Sequence, residues 1–342
     1  MKKLLIIGSN SVHTFNYINL IAGYFDDVLL LTNKRNPDSP IPQETADFHY
    51  NLTSFFTTPK KIRELVELYK PTHIHVHQAN SYAFFTARAL GYRTNMFLTA
   101  WGSDILLLPK KNFFWKTIVQ YSLNRFSFFT ADSQEVADEI SKLIKVRNPV
   151  LVANFGIEIH DIDCKKENVI YSNRLHKPLY RVEKVIHAFH RFLQSKPQEN
   201  WMLVVGAVGT ETDKLKELTS QLGMENQVKF IGWVDAETNR NWYACSRFWI
   251  SIPESDATSI SLLEAMAYGC IPIVSNLPSN KEWITDGENG FIVQNLETEY
   301  LSKMLEIDFE KAIRINKDRI LKDGTKEANR KKFIELYELV GA

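Results

Sequence analysis

The stretch from Arg247 to Ser275, RFWISIPESDATSISLLEAMAYGCIPIVS, constrains the fold more than any other part of the chain. Phe248–Ile252 is a short run of strand-forming residues, ended by Pro253. Glu254, Ser255 and Asp256 are turn formers and helix-capping residues. From about Ser259 to Tyr268, the spacing of Ile260, Leu262, Leu263, Ala265, Met266 and Ala267 marks a helix, with Gly269 suited to its C-cap. Ile271–Val274 reads as strand again. The result is a βαβ unit, and parallel sheets of this kind bind ligands in the loops after their strands. The loop here opens on a first helical turn. There the N–H groups of Thr258, Ser259, Ile260 and Ser261 lack intrahelical partners and carry the positive end of the dipole. Two linked phosphates fit such an end. The Glu264 carboxylate, about one turn further in, has the reach to meet the paired hydroxyls of a ribose. A plain crossover helix with a capping Asp256 and a solvated Glu264 would look the same, so the rest of the chain has to decide.

It does so by repetition. Strands are expected at Lys3–Ile7, Val28–Leu31, Thr72–His77, Met96–Ala100, Phe126–Ala131 and Val150–Ala153, with helices to about Tyr24, at Tyr82–Leu90 and at Ser133–Ile144. Residues 35–59 carry Pro37, Pro40, Pro42 and Pro59 and read as loop around one weak strand, followed by an amphipathic helix over Lys60–Tyr69. His73, His75 and His77 share one face of their strand; a metal site and a core strand both fit this pattern, and we read it as core, with His77 at the edge. A second series begins after Asn154–Lys166, with strands at Asn168–Ser172, Met202–Val205 and Gln227–Ile231 and helices at Thr212–Gln221 and Asp235–Cys245. The order β-α-β-α occurs twice, which predicts an α/β protein of two doubly wound, Rossmann-like domains. A length of 342 residues accommodates both.

Bulk properties exclude several classes. A net charge of +1 gives no field for nucleic acid. Cys164, Cys245 and Cys270 are too few and too scattered for a disulfide framework or a zinc site and are expected as reduced core thiols. In MKKLLIIGS the apolar run is shorter than a signal-peptide core, so it reads as the first strand.

With the motifs in place, the chain resembles a known family. Asp256 to Glu264 is similar to the E-x7-E motif of retaining GT-B glycosyltransferases of family 4, here D-x7-E. The resemblance implies that Glu264 binds the ribose of a nucleotide sugar and that Asp256 lies by the transferred sugar and diphosphate. Asn173-Arg174-Leu175 matches the family's R-L, implying that Arg174 holds the diphosphate. The family's lysine does not align; Tyr180 falls on its position, and Arg181 or Lys177 is left to supply the charge. Gly232-Trp233-Val234 follows the run whose backbone clasps the base, and Asp286–Phe291 matches the distal turn. In the first half, Trp101-Gly102-Ser103-Asp104 resembles H-G-x-D with Trp101 in place of the histidine, so no imidazole acts there. Gly8, Ser9, Asn10, His13, His77, Trp101, Gly102 and Asp104 are the implied acceptor side of a cleft between the domains. The implied divisions are 1–160 for acceptor binding, 161–325 for the nucleotide sugar, and a helix, 326–342, crossing back onto the first domain.

Lys110–Lys116, KKNFFWK, stands apart. Lys110, Lys111 and Lys116 interleave with Phe113, Phe114 and Trp115 in a half that is mildly basic: residues 1–160 carry 17 basic and 13 acidic side chains, leaving 24 and 27 of the totals 41 and 40. The aromatics suit either the buried face of a helix or the headgroup layer of an anionic membrane, and the cluster as a whole points to the membrane. The expected activity is transfer of a sugar from a nucleotide diphosphate sugar to a glycan or lipid-linked acceptor in surface polysaccharide synthesis. Arg174, Asp256 and Glu264 are the catalytic candidates. Thr258–Ser261, Gly232, Trp233 and Arg181 bind the donor with them. No metal or further cofactor is expected, and a cytoplasmic protein with peripheral contact at the inner membrane face fits. Two alternatives remain at this stage: a nucleotide-sugar epimerase or hydrolase, with His77 or His13 as base, and a non-catalytic nucleotide-sugar-binding subunit.

Overall fold

Buried strands alternating with amphipathic helices resolve into two parallel sheets in the computed structural model, which describes residues 1–196 and 200–340. One unit comprises residues 1–155 together with the segment from Lys326, and the other Gly156–Thr325.

In the first unit the chain runs β1 (Lys3–Ile7), α1 (Val12–Leu20), β2 (Asp27–Thr32), β3 (Gln43–Thr45), α2 (Leu52–Tyr69), β4 (His73–His77), α3 (Ser81–Leu90), β5 (Met96–Ala100), α4 (Ser103–Leu106), α5 (Phe113–Leu123), β6 (Phe128–Ala131), α6 (Gln134–Leu143) and β7 (Leu151–Val152). The sheet order is β3-β2-β1-β4-β5-β6-β7. Every residue of β4 and β5 is buried, as expected of central strands covered by helices on both faces.

The helix read as starting at Lys60 begins eight residues earlier. Pro59 lies inside α2 and suggested loop, because a proline cannot donate to the carbonyl four residues back. That carbonyl, Phe55 O, is satisfied from outside the helix by Arg88 Nε at 3.3 Å. The true start is capped by Asn51, whose side chain accepts from Ser54 N at 2.8 Å.

The histidines of β4 are core residues, tied in by the returning terminal helix. His75 Nε2 meets Thr99 Oγ1 at 2.7 Å, and its Nδ1 faces the hydroxyls of Tyr17 and Tyr337. His73 Nε2 reaches the carbonyl of Tyr337 at 3.1 Å. Tyr337 and Phe333 pack with Tyr17, Ile18 and Phe97 against this face of the sheet.

The second unit runs β8 (Glu167–Ser172), α7 (Val182–Ser195), β9 (Met202–Gly206), α8 (Thr212–Gln221), β10 (Val228–Gly232), α9 (Ala236–Cys245), β11 (Ser246–Ser251), α10 (Ile260–Ala267), β12 (Ile271–Ser275), α11 (Pro278–Trp283), β13 (Phe291–Val293) and α12 (Phe309–Arg319). The last helix, α13 (Lys326–Glu338), belongs to the first unit. The final two residues of the 326–342 segment lie outside the described residues. The second sheet has the order β10-β9-β8-β11-β12-β13.

Two expectations are corrected here. The boundary falls at 155/156 rather than 160/161, because residues after Phe155 bond into the second unit: Ile157 N donates to Gly324 O at 2.9 Å and His160 N to Tyr268 Oη at 3.3 Å. The cysteines are not all thiols. Cys164 and Cys245, 81 positions apart, form a disulfide, and only Cys270 remains a buried thiol, pushed up to about 11 by burial.

Candidate functional site

The C-terminal ends of β8 and β11 are adjacent in the second sheet, and the residues singled out around Arg174 and Asp256 meet there. Arg174 follows β8 by two residues. Its Nη2 donates to Asp256 Oδ2 at 2.6 Å and its Nη1 to Ser259 Oγ. Tyr180 lies under the guanidinium, 4.4 Å from ring centroid to Cζ. The ring expected at the lysine position thus lies against Arg174. Ser259 is the N-cap residue of α10, yet its side chain makes no capping bond, because its hydroxyl is turned to Arg174. The positive end of α10 and the guanidinium thus face one locality. Asp256 is pulled two ways: burial pushes its carboxyl up from the ordinary carboxylate range, and Arg174 opposes the rise.

Thr258 Oγ1 accepts from Trp283 Nε1 at 3.4 Å, and Ser279 Oγ donates to the carbonyl of Asp256 at 2.9 Å, so the loop before α10 is held from α11. Arg181, in the left-handed region at φ 52°, is 3.6 Å from Glu254, whose N–H donates to Leu179 O at 2.9 Å. That bond ties the segment after Arg174 to the start of the Asp256 loop.

Glu264 sits on α10 beside a polar network that the sequence reading did not identify. Asn239 Nδ2 approaches its Oε2 at 3.4 Å, and Tyr243 bonds to it. Asn173 Nδ2 donates to Tyr243 Oη at 2.7 Å and to Asn239 Oδ1 at 3.0 Å; Tyr171 Oη donates to Asn239 Oδ1 at 2.7 Å; Trp249 Nε1 donates to Asn173 Oδ1 at 2.9 Å. Burial raises the Glu264 carboxyl, while Tyr243 and then Arg240 work against the shift. A faint sequence signal existed. Tyr171 and Asn173 are two apart at a strand end, and Asn239 and Tyr243 are four apart on one helical face.

Gly232 closes β10, an edge strand, and Trp233, just after it, is 73% exposed. No hydrogen bond or ring contact among the described residues joins them to the Arg174 group. Between them, Gly209 passes the backbone of His176 so closely that a Cβ would lie 2.3 Å from its carbonyl oxygen. Only glycine permits that approach.

In the first unit, Gly8, His77 and Trp101 gather at the ends of β1, β4 and β5. A Cβ on Gly8 would lie 3.1 Å from His77 Cβ. The rings of His77 and Trp101 are 5.6 Å apart edge-on, and His13 approaches Trp101 at 5.0 Å. Gly102, at φ 94°, turns the chain after Trp101, and buried Asp104 accepts from Trp101 N at 3.0 Å and Ala79 N at 2.6 Å. Both ring nitrogens of His77 and Nε1 of Trp101 are buried without partners among the described residues, and burial lowers His77 to about 3, so it is neutral. Ser9 and Asn10 are used locally: Ser9 Oγ bonds to Ser11, the cap of α1, and Asn10 bonds to Asn33 and the Arg35 carbonyl.

Phe113 and Phe114 are exposed and only Trp115 turns inward. No helix among the described residues is long and apolar enough to cross a membrane, and no group of three or more His, Cys, Asp or Glu is placed to hold a metal ion.

Comparison with known proteins decides the class. Residues 154–319 match the family model of glycosyl transferases group 1, and residues 2–133 match that of glycosyl transferase 4-like domains. The chain is a glycosyltransferase. It is 24% identical over 297 residues to N-acetyl-alpha-D-glucosaminyl L-malate synthase of Bacillus anthracis, covering 81% of this chain and 74% of that one. It is 30% identical over 99 residues to the lipopolysaccharide core biosynthesis glycosyltransferase LpsE of Rhizobium meliloti, 29% of this chain and 28% of that one. Among solved structures it is similar to Anabaena Alr3699/HepE in complex with UDP, with TM-score 0.79, 16% identity, and 99% of this chain and all of that one covered. It is also similar to the lipopolysaccharide outer core galactosyltransferase WaaB, with TM-score 0.77, 15% identity, and 98% and 100% covered. These neighbours establish the GT-B fold for this glycosyltransferase, as two Rossmann-like α/β domains.

Proposed function

We propose that this glycosyltransferase is a retaining enzyme of family 4. On this reading it moves a hexosyl unit from a nucleotide diphosphate sugar to a glycan or lipid-linked acceptor in surface polysaccharide synthesis. One observation carries the proposal: the Arg174 guanidinium is held between Asp256 and Ser259 at an N-terminus that the Ser259 side chain leaves uncapped. Breaking a glycosyl–phosphate bond leaves growing negative charge on the diphosphate, and prearranged positive groups at that point lower the barrier. Arg174 and the first turn of α10, Thr258 to Ser261, supply them. Glu264, held by Asn239 and Tyr243, is the proposed ribose ligand, and Asp256 faces the transferred sugar. Gly232, Trp233 and Arg181 are proposed for the base and the outer phosphate. The residues at the ends of β1, β4 and β5 are proposed for the acceptor. The relatives' names, in lipopolysaccharide core biosynthesis and N-acetyl-alpha-D-glucosaminyl L-malate synthesis, and the UDP in HepE support the substrate classes without naming this chain's own.

Retention follows if the departing phosphate takes the acceptor's proton on the face it leaves, so that no protein base is needed opposite it. The reading extends to turnover without an added metal ion, since the charges already present can serve the diphosphate. An epimerase or hydrolase would need a titrating base. His77, neutral and fully buried, is poorly placed for that role.

The test is a donor panel with acceptor glycans, with and without chelator, and NMR of the product's anomeric proton. A product with the donor's anomeric configuration, formed at an unchanged rate in chelator, is expected. An inverted product refutes the retaining assignment, and release of free sugar at the same rate without acceptor refutes transfer.

A further inference from the structure

The KKNFFWK segment takes no part in the donor site, and its surroundings carry an inference of their own. Phe113 and Phe114 open α5 with exposures of 83% and 63%. Trp115 packs edge-on to Tyr50 at 5.2 Å, Tyr50 meets Phe84 at 5.7 Å, Phe84 meets Phe55 at 6.4 Å and Phe55 meets Phe56 at 5.5 Å. This chain of rings brings the start of α2 alongside the start of α5. It adds Leu52, 79% exposed, and Phe56, 63% exposed, one turn apart on the same helix face. Single exposed apolar residues need no explanation, but four large ones standing out together from two adjoining helices do.

Lysines fringe them. Lys116 is one turn from Phe113 on α5, and Lys60 is one turn from Phe56 on α2. Lys111 and Lys116 meet no carboxylate among the described residues. Lys60 has an exposed partner, Glu64, at 3.8 Å, and Lys110 a half-buried one, Glu139, at 3.6 Å. Asp47, at the same end of α2, is already committed to Ser54, Asn51 and His49.

We propose that this face docks on the surface of an anionic lipid bilayer, with Leu52, Phe56, Phe113 and Phe114 in the headgroup layer and the lysines against lipid phosphates. Protruding rings would each need a matched pocket on a protein partner. A fluid interface accepts them as they stand, and Lys111 and Lys116, which meet no carboxylate among the described residues, select the anionic surface. The inference does not depend on the reading of the donor site.

The test is co-sedimentation of the full chain with vesicles of phosphatidylcholine alone or mixed with phosphatidylglycerol, at low and raised salt. Wild type is expected to bind the mixed vesicles, less so as salt rises. At about fivefold per lysine, K111Q/K116Q weakens binding roughly 25-fold. F113S/F114S abolishes it, with nucleotide binding and melting temperature unchanged in both variants. Failure to bind mixed vesicles, or equal binding to both kinds, overturns the proposal. So does a self-association in solution that F113S/F114S disrupts while vesicle binding persists.

Discussion

Replacing Arg174 by methionine tests the wiring of the donor end through two independent readouts. The arginine side chain is 11% exposed and its partner Asp256 25%, so the pair is shielded but not dry. Breaking a fully buried pair costs about 3–5 kcal/mol; with a quarter of the carboxylate in water, about 1–2 kcal/mol is expected. The pH dependence shows where that cost resides. Asp256 already titrates above its unfolded value because burial outweighs Arg174. A carboxyl raised in the folded state holds its proton longer there, so it lowers stability as pH rises through the window between the unfolded and folded pKa. Without Arg174 the folded value climbs further, and each added unit costs about 1.4 kcal/mol above that window. R174M is therefore expected to be destabilised at neutral pH and to recover on acidification, and R174M/D256N to recover at neutral pH without it. Urea unfolding of wild type, R174M, D256N and R174M/D256N across pH measures this. Turnover should fall about 10²–10³-fold in both R174M and the double mutant, as for loss of one preorganised donor. Stability loss that D256N does not relieve would refute the reasoning about the pair. Wild-type turnover in R174M would refute the role assigned to the guanidinium.

Other consequences are as specific. E264Q should raise the donor KM about 10–100-fold, the scale of a charge-assisted hydrogen bond, and a deoxyribose donor should lose that discrimination when assayed against both proteins. His75 and His77 are held below the ordinary histidine range by burial, His77 at about 3. Their stabilising neutrality is complete above the unfolded pKa of about 6.5 and is lost as pH falls below it, at up to about 1.4 kcal/mol per unit for each. Unfolding midpoints should drop steeply from pH 6.5 to 5, and H77N should flatten that slope. Reductant should lower stability by about 2–4 kcal/mol through the Cys164–Cys245 bond. C270S should leave that response intact, as denaturation with and without dithiothreitol would show.

Legibility from sequence followed how local each feature is. The βαβ unit around Asp256 and Glu264 is written in consecutive residues, and Arg174 comes at a strand end, so both could be found by reading. The Asn173–Asn239–Tyr243 network left only a faint trace in residue spacing, because it assembles residues from a strand end and a helix that lie far apart in the chain. The start of α2 was hidden by Pro59, whose cost is offset by Arg88 from another helix. The disulfide joins residues 81 positions apart, and spacing alone gave no reason to pair them. The KKNFFWK motif was visible, but Leu52 and Phe56 joined it only through tertiary packing, and their stretch had read as loop.

Calorimetric titration with a series of nucleosides, nucleoside monophosphates and nucleoside diphosphates, on wild type and R174M, tests the central claim most directly. If the open end of α10 and Arg174 receive two linked phosphates, affinity for the preferred base rises at least about tenfold on adding the second phosphate. R174M should remove that increment while leaving nucleoside affinity unchanged. Equal affinity across the series, or an increment that survives in R174M, would contradict the account.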